Sequence, residues 1–315
     1  MATIAFDLGG TKLASALFNE EEIVFRNSTQ LEGRKGKQVG QMIREMGNTL
    51  LEIAVDRNLQ VDALGICVPG ISYQQNGTVW APNIEEWEEY PLLDELRNEF
   101  SKRIPRICID SDRACSILGE VWKGNAKNSR DAIFLAVGTG IGAGIMINGE
   151  VLRGSNDIAG AIGWMALDRP FKDGYASCGC FEHQASGEGI AKMARESVTS
   201  GRFPGSVFIN KDFERISAHD IFKYYEAGDE LAVAVIDNAI SAWGMAIANL
   251  VSLFNPEKII LGGGVFGPAL KFKSAIFEEA VKWAQPISMK QLSLESSALG
   301  ADAGLYGAAF LAIRK

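Results

Sequence analysis

The sequence predicts an α/β chain built from two related halves. Three observations point there. Apolar runs of strand type alternate with stretches of helical periodicity. Two of those runs, Thr3–Phe6 and Ala132–Val137, pass into Gly-rich turns. The order strand, Gly-Thr turn, strand, Asn-containing turn at residues 4–19 then recurs at residues 132–152. The recurrence suggests duplication, each half presenting a Gly loop to one shared ligand; two unrelated hairpins of the same pattern are the alternative.

Thr3–Phe6 and Leu13–Phe18 flank the turn Asp7-Leu8-Gly9-Gly10-Thr11-Lys12 and read as a hairpin. A Gly- and Lys-rich loop (residues 32–38) leads to a helix over residues 39–57. There Val39, Met42, Ile43, Met46, Leu50, Ile53 and Ala54 fall at three- and four-residue steps. Ala63–Val68 is a continuous apolar run, as expected of a buried central strand, and stops at Pro69-Gly70. Residues 80–91 form an acidic, aromatic loop. A short strand, Arg106–Ile109, runs into Asp110-Ser111-Asp112, and a helix follows over 114–122. Past the second strand and the turn Gly138–Gly144, residues 145–151 return as a strand. A long helix over 231–254 stops at Asn255-Pro256. Lys258–Leu261 is a strand entering Gly262-Gly263-Gly264, and a small-residue helix over 301–313 ends the chain. The expected division is 1–113 plus 300–315 against 114–299, with the last helix packing on the first domain.

At 315 residues the chain is long enough for two cores. Its net charge of −8 gives no support to nucleic acid as a partner, because backbone binding needs a basic surface. No signal peptide is expected, no apolar run is expected to reach membrane-span length, and nothing is expected to precede the first strand. Five dispersed cysteines, without an export signal, point to reduced thiols and the cytosol.

The first turn carries more than a hairpin needs. Gly9 and Gly10 let backbone amides ring an anion, Thr11 and Lys12 add donors, and Asp7 is placed to hold Mg²⁺ directly or through water. That set suggests a phosphate site, with a plain turn as the alternative. Asp112 reads either as a reactive carboxylate or, with Ser111, as a helix N-cap.

In this order the motifs resemble the ROK group of sugar kinases and repressors, within the actin-like ATPase superfamily. Asp7–Lys12 matches that family's first phosphate loop, Gly138–Gly144 the second, and Gly262–Gly264 its adenosine turn. Asp112 sits where the family places its catalytic aspartate. Pro69-Gly70 and Ala81-Pro82-Asn83 with Trp87 match its sugar-side loops. Cys180-Phe181-Glu182 with Ala185-Ser186-Gly187 matches a further block. The resemblance implies two actin-like (ribonuclease H-like) domains closing around ATP and a sugar. It implies transfer of the γ-phosphoryl group to a sugar hydroxyl. Asp112 is the implied general base, and Gly9, Gly10, Thr11, Gly138, Thr139 and Gly140 serve the phosphates. Lys12 either approaches a phosphate or stands in a solvated rim. A cytoplasmic homodimer is implied, with no membrane partner.

The departures fall on the acceptor side. Ser111 replaces the family's asparagine, Ala161 its glutamate and Trp164 its histidine. Asn83 and Glu182 remain as acceptor contacts, although Glu182 also reads as a solvated helix-start glutamate. An indole offers an apolar face and one donor, which suits an acceptor with fewer hydroxyls or a bulkier group there. The family's structural zinc uses that histidine and three cysteines. Here Asp173 and Tyr175 stand at two of the cysteine positions, so no zinc is expected. Cys178, Cys180 and His183 form either a rearranged metal site or two packed thiols and an imidazole. Without zinc, Trp164, Phe171 and Tyr175 are expected to pack this loop. The leading reading is an ATP-dependent sugar kinase. The rivals are a non-catalytic sugar or nucleotide sensor, a repressor, which needs a DNA-binding segment and a basic surface, and an ATPase coupled to a protein.

Overall fold

The computed structural model describes residues 1–314. They form two compact units. Unit 1 holds Met1–Asn128, Val151–Ala159 and the chain from Ala298 onward; unit 2 holds Ser129–Glu150 and Gly160–Ser297.

Unit 1 runs β1 (Ala2–Leu8), β2 (Lys12–Asn19), β3 (Glu22–Gln30), α1 (Lys37–Asp56), β4 (Val61–Val68), β5 (Ile71–Ser72), β6 (Val79–Trp80), α2 (Leu92–Phe100), β7 (Arg106–Ser111) and α3 (Asp112–Lys123). Its main sheet has the order β3-β2-β1-β4-β7. The first three strands are antiparallel neighbours, and β1, β4 and β7 run parallel. β1 and β4 are apolar along their length because both faces are covered. One face buries Val39, Ile43 and Leu50 of α1 with Leu96 and Phe100 of α2. The other buries Leu305, Ala308 and Ala309 of the C-terminal helix (Ala303–Ile313). Small residues let that helix lie on backbone: a Cβ on Gly65 of β4 would sit 1.8 Å from the Ala308 carbonyl.

The division expected at residue 113 falls instead after Asn128. α3 packs along the C-terminal helix, where a Cβ on Gly307 would lie 1.7 Å from the Cys115 carbonyl. Residues 151–159 also return to unit 1, held by an ion pair described below.

Unit 2 repeats the plan with β8 (Ala132–Val137), β9 (Ile141–Ile147), β10 (Glu150–Val151), α4 (Cys180–Ala185), α5 (Gly187–Thr199), α6 (Ala218–Glu226), α7 (Glu230–Phe254), β11 (Lys258–Gly262), α8 (Lys273–Trp283), α9 (Pro286–Gln291) and β12 (Ser293–Ser296). The sheet order is β10-β9-β8-β11-β12. It has the same antiparallel hairpin followed by two parallel strands as unit 1. The shared strand order supports duplication over chance. The second turn is tighter than expected, since β9 begins at Ile141 rather than 145.

α7 corrects the expectation about apolar length. It is long and apolar enough to cross a membrane by length and composition. Its apolarity belongs to the core: Leu231, Val235, Ala239, Trp243, Ile247 and Val251 are all buried in unit 2. Asp229 caps its start, and Asn255, left-handed at φ 46°, ends it before Pro256.

Candidate active site

The parallel strands of unit 1 bring two acidic positions to the same end of the sheet. Asp7 near the end of β1 is in register with Cys67 of β4, which pairs with Asp110 of β7. Ligands of open α/β sheets gather at such carboxyl ends. The turn after β1 is closed by the Gly9 amide donating to the Lys12 carbonyl at 2.9 Å. The Leu31 amide donates to the Thr11 carbonyl at 2.8 Å, leaving the Thr11 and Lys12 side chains exposed. Asp7 is half-buried, and loss of hydration raises its carboxyl pKa against the Cys67 thiol and the Lys12 charge, which lower it.

Asp112 opens α3, but Ser111 is the cap: the Ser111 hydroxyl accepts the Ala114 amide at 3.4 Å. The two readings of this dipeptide therefore separate onto two residues. Asp112 accepts its neighbour's amide, Arg113 N–H, at 2.8 Å. The side chain is open to solvent at its surface, yet protein crowds it in most directions. That loss of hydration, with the Asp7 charge adding to it, pushes the carboxyl up to about 6 against the pull of Arg113. Two carboxylates that sense each other's charge suit a hydrated Mg²⁺, which takes one or two protein carboxylates and completes its shell with water and phosphate.

Sequence reasoning missed the support beneath Asp112. Asp110 is 2% exposed and its carboxylate meets Arg153 at 2.6 Å. It also accepts the Ser111 amide at 2.8 Å. Burial raises the Asp110 pKa and Arg153 opposes it. Asp110 was visible beside Asp112 in the sequence; Arg153, far along the chain, gave no signal.

Asn83 stands against the first turn: a Cβ on Gly10 would lie 3.1 Å from the Asn83 Cβ. Gly10, Thr11 and Asn83 line a cavity of about 410 Å³.

In unit 2, the Gly138 amide donates to the Gly140 carbonyl at 2.9 Å, and the Gly138 carbonyl accepts the Gly187 amide of α5 at 2.8 Å. Glu182, on the first turn of α4, accepts the Ile141 amide at 2.6 Å and fills the space between Gly140 and Gly163. It is thus half-buried and holds the second turn, rather than being a solvated helix start. Burial raises its carboxyl pKa, and the Ile141 amide opposes that. The three glycines after β11 differ. Gly262 abuts the Phe134 ring, and Gly263 has φ 89° and presses on the Val137 carbonyl. Gly264, like Gly138, faces open space with no positive φ, and Thr139 follows Gly138 in its turn. Neither packing nor backbone requires glycine at 138 or 264, and close approach of a ligand would.

Ala161 precedes a short turn of 3-10 helix, Ile162–Trp164, and the indole is 59% exposed. Trp164 therefore does not pack the neighbouring loop as expected. Tyr175 does: it is buried, edge-on to Phe171 and His183, and its hydroxyl bonds Asp168 at 2.9 Å. His183 Nε2 pairs with Glu196 at 3.1 Å and the Cys180 thiol accepts from Gln184 at 3.3 Å. Among the described residues, no three His, Cys, Asp or Glu side chains are grouped to hold a metal.

A doubled five-stranded α/β fold with a Gly turn after the first strand of each sheet defines an actin-like ATPase architecture. A model of the ROK family matches residues 3–315, and the chain belongs to that family. It is 31% identical to a glucokinase of Halalkalibacterium halodurans over 98% of this chain and 94% of that protein. It is 32% identical to a putative xylose repressor of Caldicellulosiruptor, over 82% of this chain and 65% of the repressor. Among solved structures it resembles a ROK hexokinase from Thermus thermophilus, with 26% identity, TM-score 0.81, and 99% and 98% of the two chains covered. It also resembles a ROK glucokinase from Streptomyces griseus in complex with glucose and AMPPNP, with 25% identity, TM-score 0.73 and 99% of each chain covered.

Proposed function

We propose that this chain is an ATP-dependent kinase that transfers the γ-phosphoryl group to a hydroxyl of a sugar or sugar derivative, with Asp112 as general base. The observation that carries the reading is the state of Asp112. Ser111 takes the capping role, so the Asp112 carboxylate is available, and its pKa is pushed up to about 6. Such a carboxylate is ionised at neutral pH yet holds a proton more tightly than an ordinary aspartate. Taking a hydroxyl proton during phosphoryl transfer calls for that combination.

Gly9, Gly10 and Thr11 of unit 1, and Gly138, Thr139 and Gly140 of unit 2, would offer amides and hydroxyls to the phosphates. Gly262–Gly264 would border the adenosine, with Gly264 leaving the room. Bound Mg²⁺ supplies neutralisation of phosphate charge, held by Asp7 directly or through water. Lys12 lowers the Asp7 pKa and helps keep that carboxylate ionised. Arg153 would position the Asp110-Ser111-Asp112 run through its part-buried ion pair with Asp110. Asn83, Ser111, Ala161, Trp164 and Glu182 would face the acceptor.

The sugar kinases among the relatives, and a glucokinase complex with glucose and AMPPNP, support the donor and acceptor class. Ala161 and Trp164 favour a sensor as the second reading, but a sensor has no use for a carboxylate tuned as a base. The test is incubation with MgATP and a panel of sugars, amino sugars, ketoses and sugar acids, following both ADP and acceptor mass. The reading expects ADP matched by one phosphorylated acceptor. ADP without acceptor phosphate points to a coupled ATPase. Sugar binding without ADP points to a sensor.

A further inference from the structure

Asp7 and Asp112 sit at the ends of different elements of unit 1, yet both rest on one pair of helices. Asp112 is the first residue of α3. Asp7 lies against the start of the C-terminal helix, where a Cβ on Gly304 would come within 2.8 Å of its carboxylate. The two helices meet backbone to backbone. A Cβ on Gly119 of α3 would lie 2.3 Å from the Ala303 carbonyl, and one on Gly307 would lie 1.7 Å from the Cys115 carbonyl. With so little between the helices, a shift of one along the other moves Asp112 against Asp7.

Glu120 holds that register. It lies on α3 about 12 Å along the axis from Asp112 and is 0% exposed. Its Oε1 accepts the Leu299 amide at 3.1 Å. Its Oε2 accepts the Asn125 amide at 2.8 Å and the Ala298 amide at 3.4 Å. Asn125 follows the end of α3, while Ala298 and Leu299 lead through the 3-10 turn Gly300–Asp302 into the C-terminal helix. The space is shaped for this carboxylate: a Cβ on Gly124 would lie 1.9 Å from Oε2. Gly124 has φ −110°, so the carboxylate demands the glycine and the backbone does not. Burying a carboxylate is costly unless donors meet it. An apolar side chain would fill the same volume, but it could not gather these amides.

We infer that Glu120 is a positioning residue for phosphoryl transfer: by tying α3 to the lead-in of the C-terminal helix, it sets the spacing between Asp112 and Asp7. The inference deepens the kinase reading and rests on it for the roles of those two carboxylates.

Two variants test it. Glu120→Gln keeps the size of the side chain but turns one acceptor oxygen into an NH2 that faces a backbone donor. Gly304→Ala, which helix propensity favours, presses on the Asp7 carboxylate directly. In both, kcat with MgATP and the phosphorylated acceptor should fall roughly 10- to 100-fold, the effect of a misplacement of about 1 Å, while KM for ATP stays within about twofold. Calorimetric titration with ADP, with and without Mg²⁺, reads the same spacing without turnover. The tightening of ADP by Mg²⁺ should shrink about fivefold or more in both variants, and affinity for ADP alone should hold. A kcat near that of the parent in either variant overturns the inference. So does an equal loss of ADP affinity with and without Mg²⁺, which marks general damage to the fold. A parent that phosphorylates no acceptor overturns the kinase reading, and the Mg²⁺ margin still decides on Glu120. A parent with no Mg²⁺ margin overturns the role given to Asp7 and the inference with it.

Discussion

The two units share one strand order, and their first turns do different things with it. In unit 1, Gly10 of the turn and the glycines of β4 and the C-terminal helix behind it are hemmed in, while Gly9 meets only its own turn. Gly10 abuts Asn83, Gly65 the Ala308 carbonyl, and a Cβ on Gly304 would reach the Asp7 carboxylate at 2.8 Å. The space is filled by acidic side chains and by the helix behind them. In unit 2, Gly138 and Gly264 look onto open space, and Glu182 is occupied in holding the Ile141 amide. The same topology therefore carries reactive side chains in one copy and bare backbone in the other. On the proposed function, the chemistry would sit with the first sheet and the nucleotide would find room at the second.

The sharpest break of that contrast comes from unit 1. Asp112→Asn should lower turnover roughly 10²- to 10⁴-fold, the range for a positioned base, while ATP affinity is largely kept. Turnover near that of the parent removes Asp112 from the mechanism. A pair of glycine substitutions probes the contrast at the next level. Gly138→Ala should leave thermal stability intact and weaken ATP binding about tenfold or more, because the methyl group enters space kept for the ligand. Gly65→Ala should instead destabilise the fold by about 1–3 kcal/mol, because its methyl group meets the Ala308 carbonyl at 1.8 Å. Unchanged ATP affinity in Gly138→Ala would falsify the view that unit 2 supplies bare backbone to the nucleotide.

The smallest effect is on stability. The Asp112 pKa in the folded chain, about 6, lies above the ordinary 3.8, so folding favours the protonated form. That contribution is fully present below the ordinary value and is lost as pH rises through about 6. Asp112→Asn should therefore raise the melting temperature slightly at pH 7 to 8 and leave it unchanged near pH 4. The gain stays small because solvent reaches the carboxylate. A loss of stability at neutral pH would contradict the desolvation argument.

What was legible in the sequence follows from where burial writes a clear period. β1, β4, β8 and β11 are continuous apolar runs, and α1 keeps Val39, Ile43, Leu50 and Ala54 on one face. Each was readable to within a few residues. β3 was not, because this edge strand, Glu22–Gln30, exposes alternate polar residues and reads as loop. α4 and α6 were missed because they are short, six and nine residues, and α5 was missed with them although it runs 13 residues. In the site, Asp7, Asp112 and the glycines were readable because carboxylate, glycines and hydroxyl stand together at the ends of apolar runs, in an order that matches a known family. The cap at Ser111 was legible only as one of two readings, and the Asp110–Arg153 pair and the Glu182 bond to Ile141 were not legible at all. Those depend on which residues the fold brings together, and spacing along the chain carries no trace of it. Trp164 shows the opposite error, an aromatic assigned to packing that the fold leaves exposed.

The central claim is that Asp112 acts as an ionised base with a raised pKa. The pH dependence of kcat/KM at saturating MgATP, with whichever acceptor is phosphorylated, tests it most directly. The account predicts an acid limb with its midpoint at about 6 and a plateau toward neutrality, because only the ionised carboxylate accepts the hydroxyl proton. A limb at the ordinary aspartate value of about 4, or none between about pH 5 and 8, would contradict it.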